Sequence, residues 1–248
     1  MGTILVNPGS PQLVGPASAS GFLPALGAPG YVNRWDAADL PGVDGASVPL
    51  DTQWKSRISD DVWWVAQANL TTGLPGIKIR NGRKYTDAGS GNARGYASRT
   101  QLEPVPNFTV ALTVNPVTNG ESRYFYKIGG YILGLVGGVG WVLATRDPGV
   151  APSIKATTSV ASATAVTDVP CVVIASWTES GDVRLKVKRS TDAAVLATAS
   201  GVTPGKDRDK RLLSPAYGTA THATGKIVEW HRVITPSEED SVIAGLAT

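Results

Sequence analysis

The stretch Cys171 to Arg189, CVVIASWTESGDVRLKVKR, decides the fold. Two apolar runs flank the turn Glu179-Ser180-Gly181-Asp182, in which Gly and Asp accept the backbone angles of a tight reversal. In the second run Val183, Leu185 and Val187 alternate with Arg184, Lys186 and Lys188, the period of a strand with one dry face and one wet face. The first run, Cys171 to Trp177, is apolar nearly throughout and reads as a more central strand. A hairpin of this kind is marginal alone and requires a second apolar layer, so the rest of the chain is expected to supply further antiparallel strands.

Composition agrees. The 248 residues hold 28 Gly and 17 Pro and are only 17% charged, which favours a turn-rich all-β protein over a helical one. A net charge of +3 is too small to argue for nucleic acid, and the basic cluster Lys206 to Arg211 is interrupted by Asp207 and Asp209 and reads as a solvated loop. The single Cys171 excludes an internal disulfide, and two histidines, His222 and His231, make no zinc cluster. The segment MGTILVNPGSPQ lacks the pattern of a secretory signal, and the most apolar stretch, Gly129 to Leu143, is fifteen residues with six glycines, too short and broken for membrane insertion.

Residues 1–34 carry five prolines, no acid and a single base, Arg34. They are expected to form an extended amino-terminal arm or linker, with Ile4, Leu5, Val6, Phe22, Leu23 and Leu26 available for docking on a partner. The globular domain is expected to occupy 35–248. Its first part, WDAADLPGVDGASVPLDTQW, sets two tryptophans around an acidic loop. Asp36, Asp39, Asp44 and Asp51 are oxygen ligands of the type calcium takes, although their spacing matches no ordered calcium loop and Asp also forms turns. Strands are expected at Ile77 to Arg80 before the Asn81-Gly82 reversal, at Phe108 to Val114, at Arg123 to Ile128 and Tyr131 to Leu135 as a hairpin over Gly129-Gly130, at Gly140 to Thr145, along Ile154 to Val169 as an edge or outward-facing strand, and at Val195 to Ala199. A closing strand, Gly225 to Val233, runs into Thr235-Pro236-Ser237-Glu238, a capping box that opens a short helix with Val242, Ile243 and Leu246 on its apolar face.

Phe108 to Val114 (FTVALTV), Trp177 to Lys188 and Gly225 to Val233, followed by the Ser237-Glu238-Glu239 helix, resemble the concanavalin A-like jelly roll and its laminin-G-like group. The segment Trp35 to Trp54 is similar to the lead-in of such domains in bacteriophage tail and virion proteins. The resemblance implies an antiparallel two-sheet sandwich and a virion structural protein assembled in the host cytoplasm, most directly a minor tail or tail-tip component with a lectin-like domain for host-surface adhesion. Its partners would be other virion proteins, met through the amino-terminal arm, and a host glycan; analogy with phage fibres implies a homo-oligomer. A capsid or tail decoration role without a glycan ligand is the alternative.

Candidate glycan-stacking residues are Trp63, Trp64, Tyr85 and Tyr96, near Asn69, Asn81, Asn92 and Arg94; Trp54, Trp141, Trp177 and Trp230 read as core aromatics. The fold also includes glucanases, but their E-x-D-x-x-E strand motif is absent, Glu179 and Asp182 fall in a turn, and Glu238, Glu239 and Asp240 fall at a helix start. No G-x-S-x-G elbow accompanies His222 or His231. A non-enzymatic protein is therefore expected.

Overall fold

The computed structural model describes residues 27–58, 63–67, 74–87, 95–98, 106–116, 123–128, 130–136, 139–146, 154–161, 169–190, 192–205, 212–213 and 222–247; for 63–67, 123–128 and 212–213 the backbone alone is described. The loop around Asn92 and Arg94, the basic cluster 206–211, Asn69 and residues 1–26 lie outside this set.

The strands, numbered in chain order, form two antiparallel sheets packed face to face, the jelly-roll-like sandwich expected from the sequence. The first sheet runs β14 (Val195–Ala199), β13 (Val183–Arg189), β12 (Cys171–Trp177), β7 (Phe108–Pro116), β16 (His222–Trp230), β5 (Arg83–Asp87) and β4 (Gly76–Arg80), with β1 (Asn33–Asp36) also paired to β16. The second runs β11 (Ile154–Ala161), β10 (Gly140–Arg146), β9 (Tyr131–Val136), β8 (Arg123–Ile128), β15 (Leu212–Leu213), β6 (Gly95–Ser98), β3 (Trp63–Gln67) and β2 (Gln53–Lys55). As its polar composition suggested, β11 lies at an edge.

The hairpin that opened the sequence reading sits where its apolar runs require. Strand β12 is buried along its whole length between β13 and β7, in register from Cys171↔Val114 to Trp177↔Phe108. Gly181 takes φ +85, and a Cβ there would stand 2.4 Å from the Val202 carbonyl oxygen, so the turn needs glycine for both angle and space. Ser180, then Ser200 and Thr178, donate to the Asp182 carboxylate and hold its pKa below the usual range; this turn acid is an ionised acceptor.

Two apolar layers result. Between the sheets, Trp177 stacks on Phe108 of its own sheet and Tyr131 of the other, with centroids 4.9 and 4.5 Å apart and planes at 23° in both pairs. Trp35, Trp54 and Trp141 join this core. The second layer lies on the outer face of the first sheet, where Ala111, Val172, Ile174, Val228 and Trp230 meet Val242, Ile243 and Leu246 of the helix α1 (Pro236–Ala247). The wet face expected for β13 is therefore partly covered. Lys186 is 9% exposed, because α1 lies across the sheet and carries the carboxylates that receive it.

The helix begins as its sequence requires. Thr235 N donates to Glu238 Oε2 at 2.7 Å, and Glu238 N donates to Thr235 Oγ1 at 3.3 Å, closing the capping box. Arg232 donates to both Glu238 oxygens, and this bond, first among several, pulls the Glu238 carboxyl down to about 2 from 4.5. The folded carboxyl thus holds its proton less tightly than the unfolded one. Its stabilisation is complete above pH 4.5 and is lost as pH falls to about 2. Chemical unfolding of wild type and Glu238→Gln across that window is expected to show a pH-dependent gap in stability that closes at the acid end; parallel curves would refute it.

The amino-terminal arm is docked on its own domain from Gly27 onward. Trp230 Nε1 donates to the Ala28 carbonyl at 3.0 Å, Tyr31 meets the Trp230 ring edge-on at 6.3 Å, and Asn33 Nδ2 donates to Glu229 Oε2 at 3.0 Å. The boundary expected between residues 34 and 35 falls inside β1, because the backbone of 33–36 completes the edge of β16.

Candidate binding cleft

The Asn81-Gly82 turn, with φ +50 and +73, reverses β4 into β5 and brings Arg83, Lys84 and Tyr85 back across the first sheet. Beside β5, strand β16 carries an irregularity between Thr224 and Ile227, and Gly225 falls within it. A Cβ on Gly225 would approach Thr113 Oγ1 to 2.6 Å and the Tyr85 ring to 3.1 Å. Glycine there lets the tyrosine ring lie on the bare strand. Lys226 N donates to Thr113 Oγ1 at 2.7 Å, which fixes this corner.

Two adjoining hollows flank it on the sheet's outer face. One, of about 230 Å³, reaches past Thr113 and Cys171 to Lys188 and Ser190; the other, of about 260 Å³, reaches past Gly225 and Lys226 to Asp36. They share Arg83, Tyr85, Thr113 and Leu246 and form one cleft closed at an end by the last turn of α1. Arg83 Nη2 donates to the Ala247 carbonyl at 2.6 Å, a cation on the negative end of the helix, and Lys84 Nζ donates to the Leu40 carbonyl at 2.6 Å.

The lining is rich in cationic donors, Arg83, Lys84, Lys188 and Lys226. Among the described residues Asp36 is the one carboxylate in the lining, whereas glycoside hydrolysis uses a pair. Burial pushes the Cys171 thiol up to about 12, so it is held as the un-ionised thiol. Burial likewise raises the Tyr85 phenol, against the nearby Arg83, and lowers the Lys226 ammonium, which Asp36 draws back up while Arg83, Arg34 and Arg57 push it down.

The four stacking candidates do not share a surface. Tyr85 lies under the cleft at 1% exposure, with no open ring face. Tyr96 is 3% exposed in the core, tilted on Trp54 at 5.5 Å, with its hydroxyl 2.7 Å from Thr86 Oγ1 of the opposite sheet. Neither ring presents an open face: Tyr96 fills space between the sheets and Tyr85 lies beneath the hollows. Trp63 and Trp64 are adjacent on β3, paired with Lys55 and Trp54 of β2, and their side chains lie outside the described set. Of the polar neighbours expected, Asn81 does line the cleft. The sequence reading missed Arg83, Lys188 and Lys226. The alternation of β13 and the bases after Asn81-Gly82 were visible, but nothing in the sequence joins three strands so far apart in the chain.

The acidic loop is otherwise engaged. Asp36 Oδ1 accepts from Ala38 N, Asp39 takes both Arg57 donors at 2.6 and 2.5 Å, and Asp44 Oδ1 accepts from Ile79 N. Among the described residues no three His, Cys, Asp or Glu groups converge as a metal would need. His231 is exposed at the end of β16, with its ring 5.9 Å from Phe108.

Comparison with solved structures places the fold among known ones. The chain is similar to the binding domain of Paraclostridial Mosquitocidal Protein 1 (TM-score 0.53, 12% identity, 84% of this chain and 52% of that one). It is similar also to a structure described as a receptor binding domain (0.56, 10%, 91% and 52%) and to the botulinum neurotoxin serotype D binding domain (0.53, 10%, 90% and 52%). The chain shares their β-sandwich fold. It spans about half the length of each. No protein-family model matches the sequence, and no curated protein matches it significantly.

Proposed function

We propose that this chain is a non-enzymatic, lectin-like adhesion module that binds a host-surface glycan. The observation that carries the reading is the cleft itself: a concave, donor-rich site on a rigid sheet, with one carboxylate and a buried, protonated thiol where a catalyst would need paired or activated groups. The fold held in common with structures described as binding domains supports it as analogy. For the particle that bears the module, the Trp35 to Trp54 lead-in supports a bacteriophage tail or tail tip, assembled in the host cytoplasm, with the amino-terminal arm meeting other virion proteins.

A saccharide panel probed with the full chain is expected to retain it, and Ser190→Trp, which sets a large ring on the exposed rim, is expected to abolish retention without lowering the melting temperature. Retention equal to wild type would move the site elsewhere, and no retention on any saccharide or host surface would remove the adhesion reading. Immunogold labelling of the particle is expected at the tail tip.

Assembly or decoration, including self-association, is a second reading. One observation favours it: edge strand β14 exposes Val195 and Leu196, at 41% and 47%. Label spread over the head would select it.

A further inference from the structure

We infer that the cleft selects an acidic saccharide, one whose carboxylate or sulfate group lies between Lys226, Arg83 and Lys188. This rests on the lectin-like reading and names its ligand class.

Among the described residues, Arg83, Lys84, Lys188 and Lys226 line the cleft against Asp36 alone. That local surplus of positive charge equals the net +3 of the whole chain. The acid is also shared: Asp36 Oδ2 lies 3.7 Å from Arg57 Nη2, and its other oxygen accepts from Ala38 N. Three of the cations donate to backbone carbonyls and not to carboxylates, Arg83 to that of Ala247, Lys84 to that of Leu40 and Lys188 to that of Asp192.

The aromatic evidence points the same way. Tyr85, the one ring in the lining, is 1% exposed and offers no face to the apolar side of a neutral sugar or to a base. The lining consists instead of ammonium and guanidinium groups, with Asn81 and Ser190 at an exposed rim. Such a lining matches an anion with several acceptor oxygens on a polar ring.

The test is calorimetric titration of the full chain with an oligogalacturonate, its fully methyl-esterified counterpart and a heparin-derived sulfated oligosaccharide. An acidic probe is expected to bind at least tenfold tighter than the neutral ester. Lys226→Gln and Lys188→Gln are each expected to weaken it about tenfold, the loss of one charge-assisted bond, with melting temperature unchanged. Raising salt from about 0.1 to 1 M, which shortens the screening length from ~10 to ~3 Å, is expected to weaken binding further. Binding of the sulfated probe alone keeps the acidic class and names sulfate as its group. Equal binding of ester and acid, or charge variants without effect on the acid, overturns this inference and leaves the lectin-like reading standing. No binding of any of the three, with a negative saccharide panel, overturns both.

Discussion

Glu239→Ala is expected to lower stability by about 3 kcal/mol, the cost of breaking a buried charge pair from one side. Glu239 is 1% exposed, yet it accepts from Arg184 Nε and Nη2 at 3.2 and 3.1 Å and from Lys186 Nζ at 3.3 Å. Its removal leaves the Lys186 side chain, 11% exposed, with only Asp240, which is 70% exposed and holds its geometry loosely. Arg184, at 30%, still reaches water, so the penalty falls chiefly on the lysine. Replacing both partners by apolar groups, Glu239→Leu with Lys186→Met, is expected to cost less than the single change, because no buried charge is then stranded. Thermal unfolding measures this: about 6–12 °C for the single variant at ~2–4 °C per kcal/mol for a chain of this size. A loss below about 1 kcal/mol, or a double variant worse than the single, would show that the network does not hold α1 on the sheet.

Trp230→Ala is expected to cost about 3–5 kcal/mol, as for a large buried aromatic side chain, and to release the segment that precedes β1. The indole is 0% exposed at the centre of the second apolar layer, packed with α1 on one side and Ala28 on the other. Its N–H is bound to the Ala28 carbonyl, and Arg232 Nη2 donates to that of Pro29 at 2.9 Å. Without the ring, the segment 27–32 loses both its packing surface and one of two side-chain anchors. Amide hydrogen exchange is expected to accelerate there while the strands of the inter-sheet core stay protected. Trp230→Phe, which keeps most of the packing and loses the N–H, is expected to fall between wild type and alanine. Unchanged protection over 27–32 in the alanine variant would mean that β1 alone holds the segment.

Much of the sandwich was legible because its signals are local. The alternation of β13, the Asn81-Gly82 reversal, the Gly181 turn and the Thr235 capping box each depend on residues within a few positions of one another, and each appears where its chemistry demands. Trp54, Trp141, Trp177 and Trp230 were legible as core for a related reason: large apolar surfaces are costly to leave in water wherever the chain runs.

The cleft was legible only in fragments. Asn81 reads as a polar neighbour, but Tyr85 and Tyr96 read equally well as open rings, because sequence does not say which layer covers an aromatic side chain. One carries a hollow on the outer face and the other joins the two sheets. Strands β4, β7 to β14 and β16, the turns, the helix start and the aromatic core follow from the sequence alone, as consequences of backbone angles and apolar period. Only the tertiary structure decided that α1 lies over β13 and pairs with its lysine, that residues 27–34 pack on the sandwich, and that Arg83, Lys188 and Lys226 line two adjoining hollows. Those outcomes depend on charges and surfaces separated by up to two hundred residues of chain, and the energy of such a pair exists only after folding has brought it together and excluded water from around it.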